Sequence, residues 1–132
     1  MANEIRLVAK YKLKVFQATP YPANVIVYDL SDMAALLKVF PDHPLPNETT
    51  QGRMCGMYRD GCQVITIGLR KGLGEFMPTV AHECYHALNQ VYLWAGASHD
   101  LNNDEPAAYM LGHLVGETTR LWAEITDGGK NG

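Results

Sequence analysis

Hydrophobic positions along the chain follow two periods. From Ile5 to Phe16 they alternate, with Ile5, Leu7, Ala9, Tyr11, Leu13 and Val15 on one side and Arg6, Val8, Lys10, Lys12 and Lys14 mostly on the other. Period two predicts a half-buried strand, and lysines on the open face of an edge strand discourage pairing with other chains. A turn at Pro20 and Pro22 leads to a second strand, Asn24-Val-Ile-Val-Tyr-Asp-Leu, after which Ser31 or Asp32 is placed to cap a short helix through Phe40. Pro41, Pro44 and Pro46, with Asn47 to Thr50, predict a loop as far as Gly52 in which His43 is solvated. Asp60-Gly61 between Met54–Tyr58 and Cys62–Leu69 predicts a β-hairpin. Gly68, Gly72 and Gly74 then break regular structure before a helix that Pro78 opens in its first turn and that runs to about Ala95.

Beyond a loop from Gly96 to Asn103, Asp104 or Glu105 caps a second long helix with Pro106 in its first turn. Its 3.6-residue stripe is Ala108, Leu111, Val115, Trp122 and Ile125. The order of elements predicts an α+β domain, a few-stranded sheet with two long helices, over residues 1–126, followed by a flexible tail at 127–132. The length of 132 residues suits one such domain, and 47% apolar residues suffice for its core.

No apolar run approaches the roughly 18 residues of a membrane span, and the start of the chain lacks the apolar core of a signal peptide. The expectation is a cytoplasmic protein. Its formal charge of −3 argues against a dedicated nucleic-acid binder. Cys55, Cys62 and Cys84 have no CxxC spacing and read as small buried thiols of a reducing compartment.

Four of the five histidines, His82, His86, His99 and His113, fall in one quarter of the chain. His82 and His86 are four apart on a predicted helix, so both imidazoles share a face and can hold one ion, for which zinc is suited. Glu83 is rotated by about 100° from His82 and reaches a water on the metal instead of the metal itself. That is the content of H-E-x-x-H: the ion acidifies its water and the carboxylate takes the proton. Shuffling this composition produces the motif with a probability of only about 0.8%, and the other face of the same helix offers Val80, Cys84, Leu88, Val91 and Ala95 to a core.

A catalytic zinc takes three protein ligands and keeps one open position. The metzincin spacing fails, because Asn89 and Tyr92 stand where Gly and His are needed. His99, thirteen residues after His86, and Glu105, nineteen after it, remain as candidates, with Asp104 as a fallback or a cap. Tyr109 and His113 share a helical face with Glu105, and either is placed to donate a hydrogen bond to an oxyanion. His113 also suits a structural role. Gly112 and Gly116, on the same face, suggest a close approach of the two helices that offsets about 1 kcal/mol each.

At His82, Glu83, His86 and Glu105, the last within Asn103-Asp-Glu-Pro-Ala-Ala-Tyr, the sequence resembles the gluzincin branch of the zincin metallopeptidases. The resemblance spans residues 54 to about 125 and is greatest to minimal gluzincins of bacteria and their phages. It implies a small zincin-like domain in which the second helix carries the third ligand, Glu105. It also implies zinc as cofactor, a peptide or protein substrate, and Cys62–Leu69 as the edge strand that grips it. Two other readings stand beside it: a non-catalytic binding module whose zinc staples two helices, and a zincin of the SprT type with His99 as third ligand.

Overall fold

Over the described residues the chain folds as an α+β structure in which four helices flank a four-stranded mixed sheet. A computed structural model describes residues 2–59, 61–72 and 75–131, at 2–5 and 128–131 for the backbone alone. The elements are α1 (Ala2–Lys10), β1 (Lys14–Gln17), β2 (Asn24–Asp29), α2 (Ala34–Val39), β3 (Gly52–Arg59), β4 (Cys62–Leu69), α3 (Phe76–Ala95) and α4 (Glu105–Asn131). Strand order is β1-β2-β4-β3, with β2 and β4 parallel and the outer pairs antiparallel. No helix among the described residues is long and apolar enough to cross a membrane.

The central strands are buried on both faces. Val25, Val27, Ile65, Ile67 and Leu69 join Val80, Cys84, Leu88 and Val91 of α3 and Met110, Leu114 and Trp122 of α4 in one core. Ile26, Tyr28 and Val64 point the other way, to Val8 of α1 and to Leu36, Val39 and Phe40 around α2. Period-two strands between two apolar layers therefore read as continuous hydrophobic runs, Val-Ile-Val-Tyr and Val-Ile-Thr-Ile.

The first strand expected, Ile5 to Phe16, is instead a helix followed by a short strand. Val8 is buried while Ala9 and Lys10 are exposed, and Leu7, Tyr11 and Leu13 pack beside Val8 on the second core. Apolar residues at 7, 8 and 11 fit one helical face as well as they fit alternation, and packing against α2 selects the helix. Lys12, in the left-handed region at φ 57°, ends it, and only Lys14–Gln17 pairs with β2.

Other boundaries also move. Met33, not Ser31 or Asp32, precedes α2, because the Asp29 carboxylate accepts the Ser31 backbone N–H at 2.9 Å and its hydroxyl at 2.6 Å. Gly68 lies inside β4. Asp60 and Gly74 fall outside the described residues. The buried stripe of α4 is Met110, Leu114, Thr118, Leu121 and Trp122; Leu111, Val115 and Ile125 flank it, and Ala108 is exposed. Nothing lies within 4 Å of a Cβ built at Gly112 or Gly116, so no close helix approach offsets them. The helix continues to Asn131 through the segment expected as a tail. Only Cys84 of the three free thiols is fully buried.

The largest departure is His43, which is 3% exposed instead of solvated. Its Nδ1 lies 2.9 Å from the Pro44 carbonyl, which can only accept, so Nδ1 carries the proton. Nε2 then accepts from the Thr66 hydroxyl at 2.8 Å. Arg53 donates to the same carbonyl, Arg59 holds the Asp42 carboxylate, and Arg70 donates to the carbonyls of Thr50 and Asn47. The 41–51 loop is thus tied to the sheet along its length.

Burial lowers the His43 pKa, reinforced by Arg53 and Arg59 and opposed by the Pro44 hydrogen bond and Asp42. The unfolded chain takes up this proton near the ordinary value of about 6.5. Stability from His43 is therefore full above that pH and falls as pH drops through it, until the folded ring protonates. Wild type should lose more stability than His43→Gln between about pH 7.5 and about pH 5, in the urea midpoint; equal losses would contradict the assignment.

Glycine substitutions separate open from crowded positions. A Cβ at Gly68 would stand 2.5 Å from Cζ of the Tyr28 ring and 2.7 Å from Leu30. Gly68→Ala is expected to destabilise by about 1–3 kcal/mol. Gly112→Ala should stabilise by up to about 1 kcal/mol, as Ala does at an open helical site. Thermal denaturation of the two variants reads both signs.

Candidate metal centre

The apolar stripe of α3 decides where its polar residues point. With Val80, Cys84, Ala87, Leu88 and Val91 buried, the 100° step per residue turns His82 and His86 to solvent and Glu83 to the flank, beside β3. The helix ends where expected, on Gly96 in the left-handed region at φ 69°.

His82 Nε2 and His86 Nε2 lie 3.1 Å apart. Two imidazole nitrogens bound tetrahedrally at about 2.0–2.1 Å stand about 3.3 Å from each other, so the pair fits a zinc ion with a shift of a few tenths of an ångström. Glu83 is 7% exposed, and its Oε2 lies 3.9 Å from His82 Nε2. It opens on a cleft of about 420 Å³ between the start of β3 and the start of α3, lined by Thr49, Gln51, Gly52, Glu75, Thr79 and His82. A Cβ at Gly52 would come within 2.5 Å of Thr79 Cγ2 and 3.1 Å of Glu83 Cγ, so glycine lets the strand lie against the carboxylate.

Cys84, inside the motif, faces the core. Desolvation pushes its thiol up to about 11, against the Thr118 hydroxyl 3.6 Å away. It is a packing residue, not a thiolate ligand.

The remaining candidates do not gather at the pair. Among the described residues no group of three or more His, Cys, Asp or Glu is arranged to hold a metal ion. Cys84 touches Thr118, and Glu105 stands thirteen residues earlier on α4, about 20 Å along the helix axis. His99 lies nearer the pair. Its Nε2–H donates to Asn89 Oδ1 at 2.6 Å, and its ring stacks on Tyr85 and packs at a tilt on Tyr92, with centroids 6.1 and 5.1 Å away. Asn89 is one helical turn from His86.

Tyr109 and His113 line a different cleft, of about 540 Å³, with Thr19, Pro20, Tyr21, Pro106 and Met110. The His113 Nε2–H donates to the Gln17 carbonyl at 3.0 Å, and Phe16 meets its ring edge-on at 5.6 Å. That hydrogen bond ties α4 to β1 at this point.

Cys62–Leu69 is an interior strand, paired on both sides, and so cannot add a peptide; β3 is the free edge on this side of the sheet. The H-E-x-x-H motif drew attention to α3 alone and missed the other wall of the cleft. Thr49 and Gln51 carry no chemical signal, and Gly52 reads as a loop end.

The chain matches no family model, and no curated protein or solved structure matches it.

Proposed function

We propose that the chain is a zinc-dependent metallohydrolase, most simply a peptidase, with a small zincin-like fold. One observation carries this reading: a nearly buried glutamate opens on a cleft beside two imidazole nitrogens 3.1 Å apart. His82 and His86 would hold the ion, which supplies Lewis acidity and a water of lowered pKa. Glu83 would be the proton carrier, accepting a proton at its carboxylate and returning it to the leaving group. Its burial against Gly52 fixes the carboxylate on one side of the histidine pair and limits competing solvent. An extended substrate would pair with the free edge of β3, whose first residue, Gly52, lines the same cleft.

The third ligand is Glu105 on the gluzincin resemblance, or His99 on the SprT resemblance. His99 has the better position in this fold, one turn from His86 over Asn89. A non-catalytic zinc staple is disfavoured by the same geometry, because the pair faces solvent and a structural site closes its coordination with protein donors.

Glu83→Gln should keep stoichiometric zinc and lose hydrolysis of an unfolded protein substrate by a factor of about 100 or more. Zinc content by atomic emission and cleavage on gels measure the two separately. Loss of zinc in a folded Glu83→Gln protein would refute its role as base. Of Glu105→Ala and His99→Ala, the variant that retains zinc marks a residue that is not a ligand.

A further inference from the structure

Charge is distributed unevenly between the layers of this fold. From Gly72 to Thr119 the chain has no Lys or Arg, while it carries Glu75, Glu83, Asp100, Asp104, Glu105 and Glu117. All eleven basic residues lie elsewhere. Glu117 is paired with Arg120, and the other five form no ion pair with a Lys or Arg among the described residues. The layer formed by α3 and α4 therefore presents a net negative surface that the overall charge of −3 conceals.

The cleft between the 19–21 turn and the first turns of α4 lies in this layer. Its walls are Pro20, Tyr21, Pro106, Met110 and Tyr109, the last 76% exposed, and Asp104 and Glu105 are exposed on the chain just before Pro106. Tyr21 meets Tyr92 edge-on at 6.1 Å, and Tyr92 packs on His99, so the cleft wall continues as a row of aromatic rings to Tyr85, beside His86. With Nε2–H given to the Gln17 carbonyl, Nδ1 of neutral His113 is an acceptor. Tyrosine faces, an imidazole acceptor and uncompensated carboxylates all favour a cation that donates hydrogen bonds.

We propose that this cleft docks a cationic polypeptide segment, with an arginine or lysine side chain laid across Tyr21 and Tyr109 and its charge met by the acidic layer. The aromatic row joins the cleft, through buried Tyr92 and exposed His99, to Tyr85, the neighbour of His86 in the chain. The inference does not depend on hydrolysis: it concerns a surface that would bind whether or not the centre cleaves.

The test uses the full chain carrying Glu83→Gln, without added metal, and three fluorescein-labelled decapeptides in which alanine alternates with arginine, glutamine or glutamate. Anisotropy at low ionic strength should show binding of the arginine peptide alone, weakening as salt is raised. Tyr109→Ala, an exposed position, should reduce that affinity by about three- to ten-fold with an unchanged circular dichroism spectrum. Leu93→Ala, at an exposed position on α3 outside the cleft, should leave it unchanged. Equal binding of all three peptides, no binding, or equal weakening by the two variants would overturn the proposal. So would a concentration-dependent dimer that Tyr109→Ala abolishes, since the cleft would then be filled by a second copy. Failure here would leave the hydrolase reading standing, and loss of zinc or hydrolysis in its own test would leave this one standing.

Discussion

The burial of one stripe of α3 against the sheet governs the rest of the site. Val80, Cys84, Ala87, Leu88 and Val91 are in contact with the β2 and β4 side chains and with α4, leaving no rotational freedom about the helix axis. Given that phase, the 3.6-residue period sends His82 and His86 outwards together and Glu83 sideways. The separation of the two imidazoles from the carboxylate, on which the proposed roles rest, thus follows from packing. Strand order supplies the second half of the arrangement: β3 is outermost, so the flank to which Glu83 turns is a free sheet edge instead of another helix. Gly52 keeps that edge close without a side chain between backbone and carboxylate.

The wall facing α3 is held from the opposite face of the sheet. Thr49 and Gln51 line the cleft, but the loop that bears them is anchored by His43 at Thr66 and by arginines at 53, 59 and 70. Asn47 completes the support, its side-chain oxygen accepting from the Thr49 backbone N–H and the hydroxyls of Thr49 and Thr50. A loop of ten or so residues, rich in proline and threonine, gains definite geometry from these bonds and not from secondary structure. A polar histidine buried between sheet and loop is tolerated because both ring nitrogens are satisfied.

Much of this was legible where one local pattern admitted one structure. The hairpin of β3 and β4, the strand at β2, and the span of α3 from about Pro78 to about Ala95 follow from turn chemistry and periodicity alone. The failures share a cause: information that resides in a partner element. Leu7, Val8 and Tyr11 fit strand and helix equally until α2 is present to receive them. The α4 stripe could be displaced by one position because Leu111 and Val115 are apolar too, and only contact with Tyr92 and Cys84 selects Met110, Leu114 and Thr118. The expected edge strand was the right hairpin and the wrong member of it, since nothing in either strand states which one a distant β2 will pair. His43 was missed for the same reason, its acceptor and donor lying 1 and 23 residues away.

Helix geometry also constrains any third donor to the histidine pair. Because α4 contacts Cys84 through Thr118, the α4 residues level with His82 and His86 lie late in that helix, where Thr118 is given to Cys84 and Glu117 is already paired with Arg120. A ligand at the start of α4 would require that helix to shift along α3 by several turns, which the buried stripe from Met110 to Trp122 opposes. The loop from Gly96 to Asp104 faces no such barrier. It is held by His99, which stacks on exposed Tyr85 and packs at a tilt on buried Tyr92, by one hydrogen bond to Asn89 and by the Ala97 N–H on the Tyr92 carbonyl. Exchanging that hydrogen bond for a metal bond needs rearrangement of a loop, whereas recruiting Glu105 needs rearrangement of the core. If the proposed centre takes a third protein ligand, a donor from this loop would therefore require less repacking than one from the start of α4.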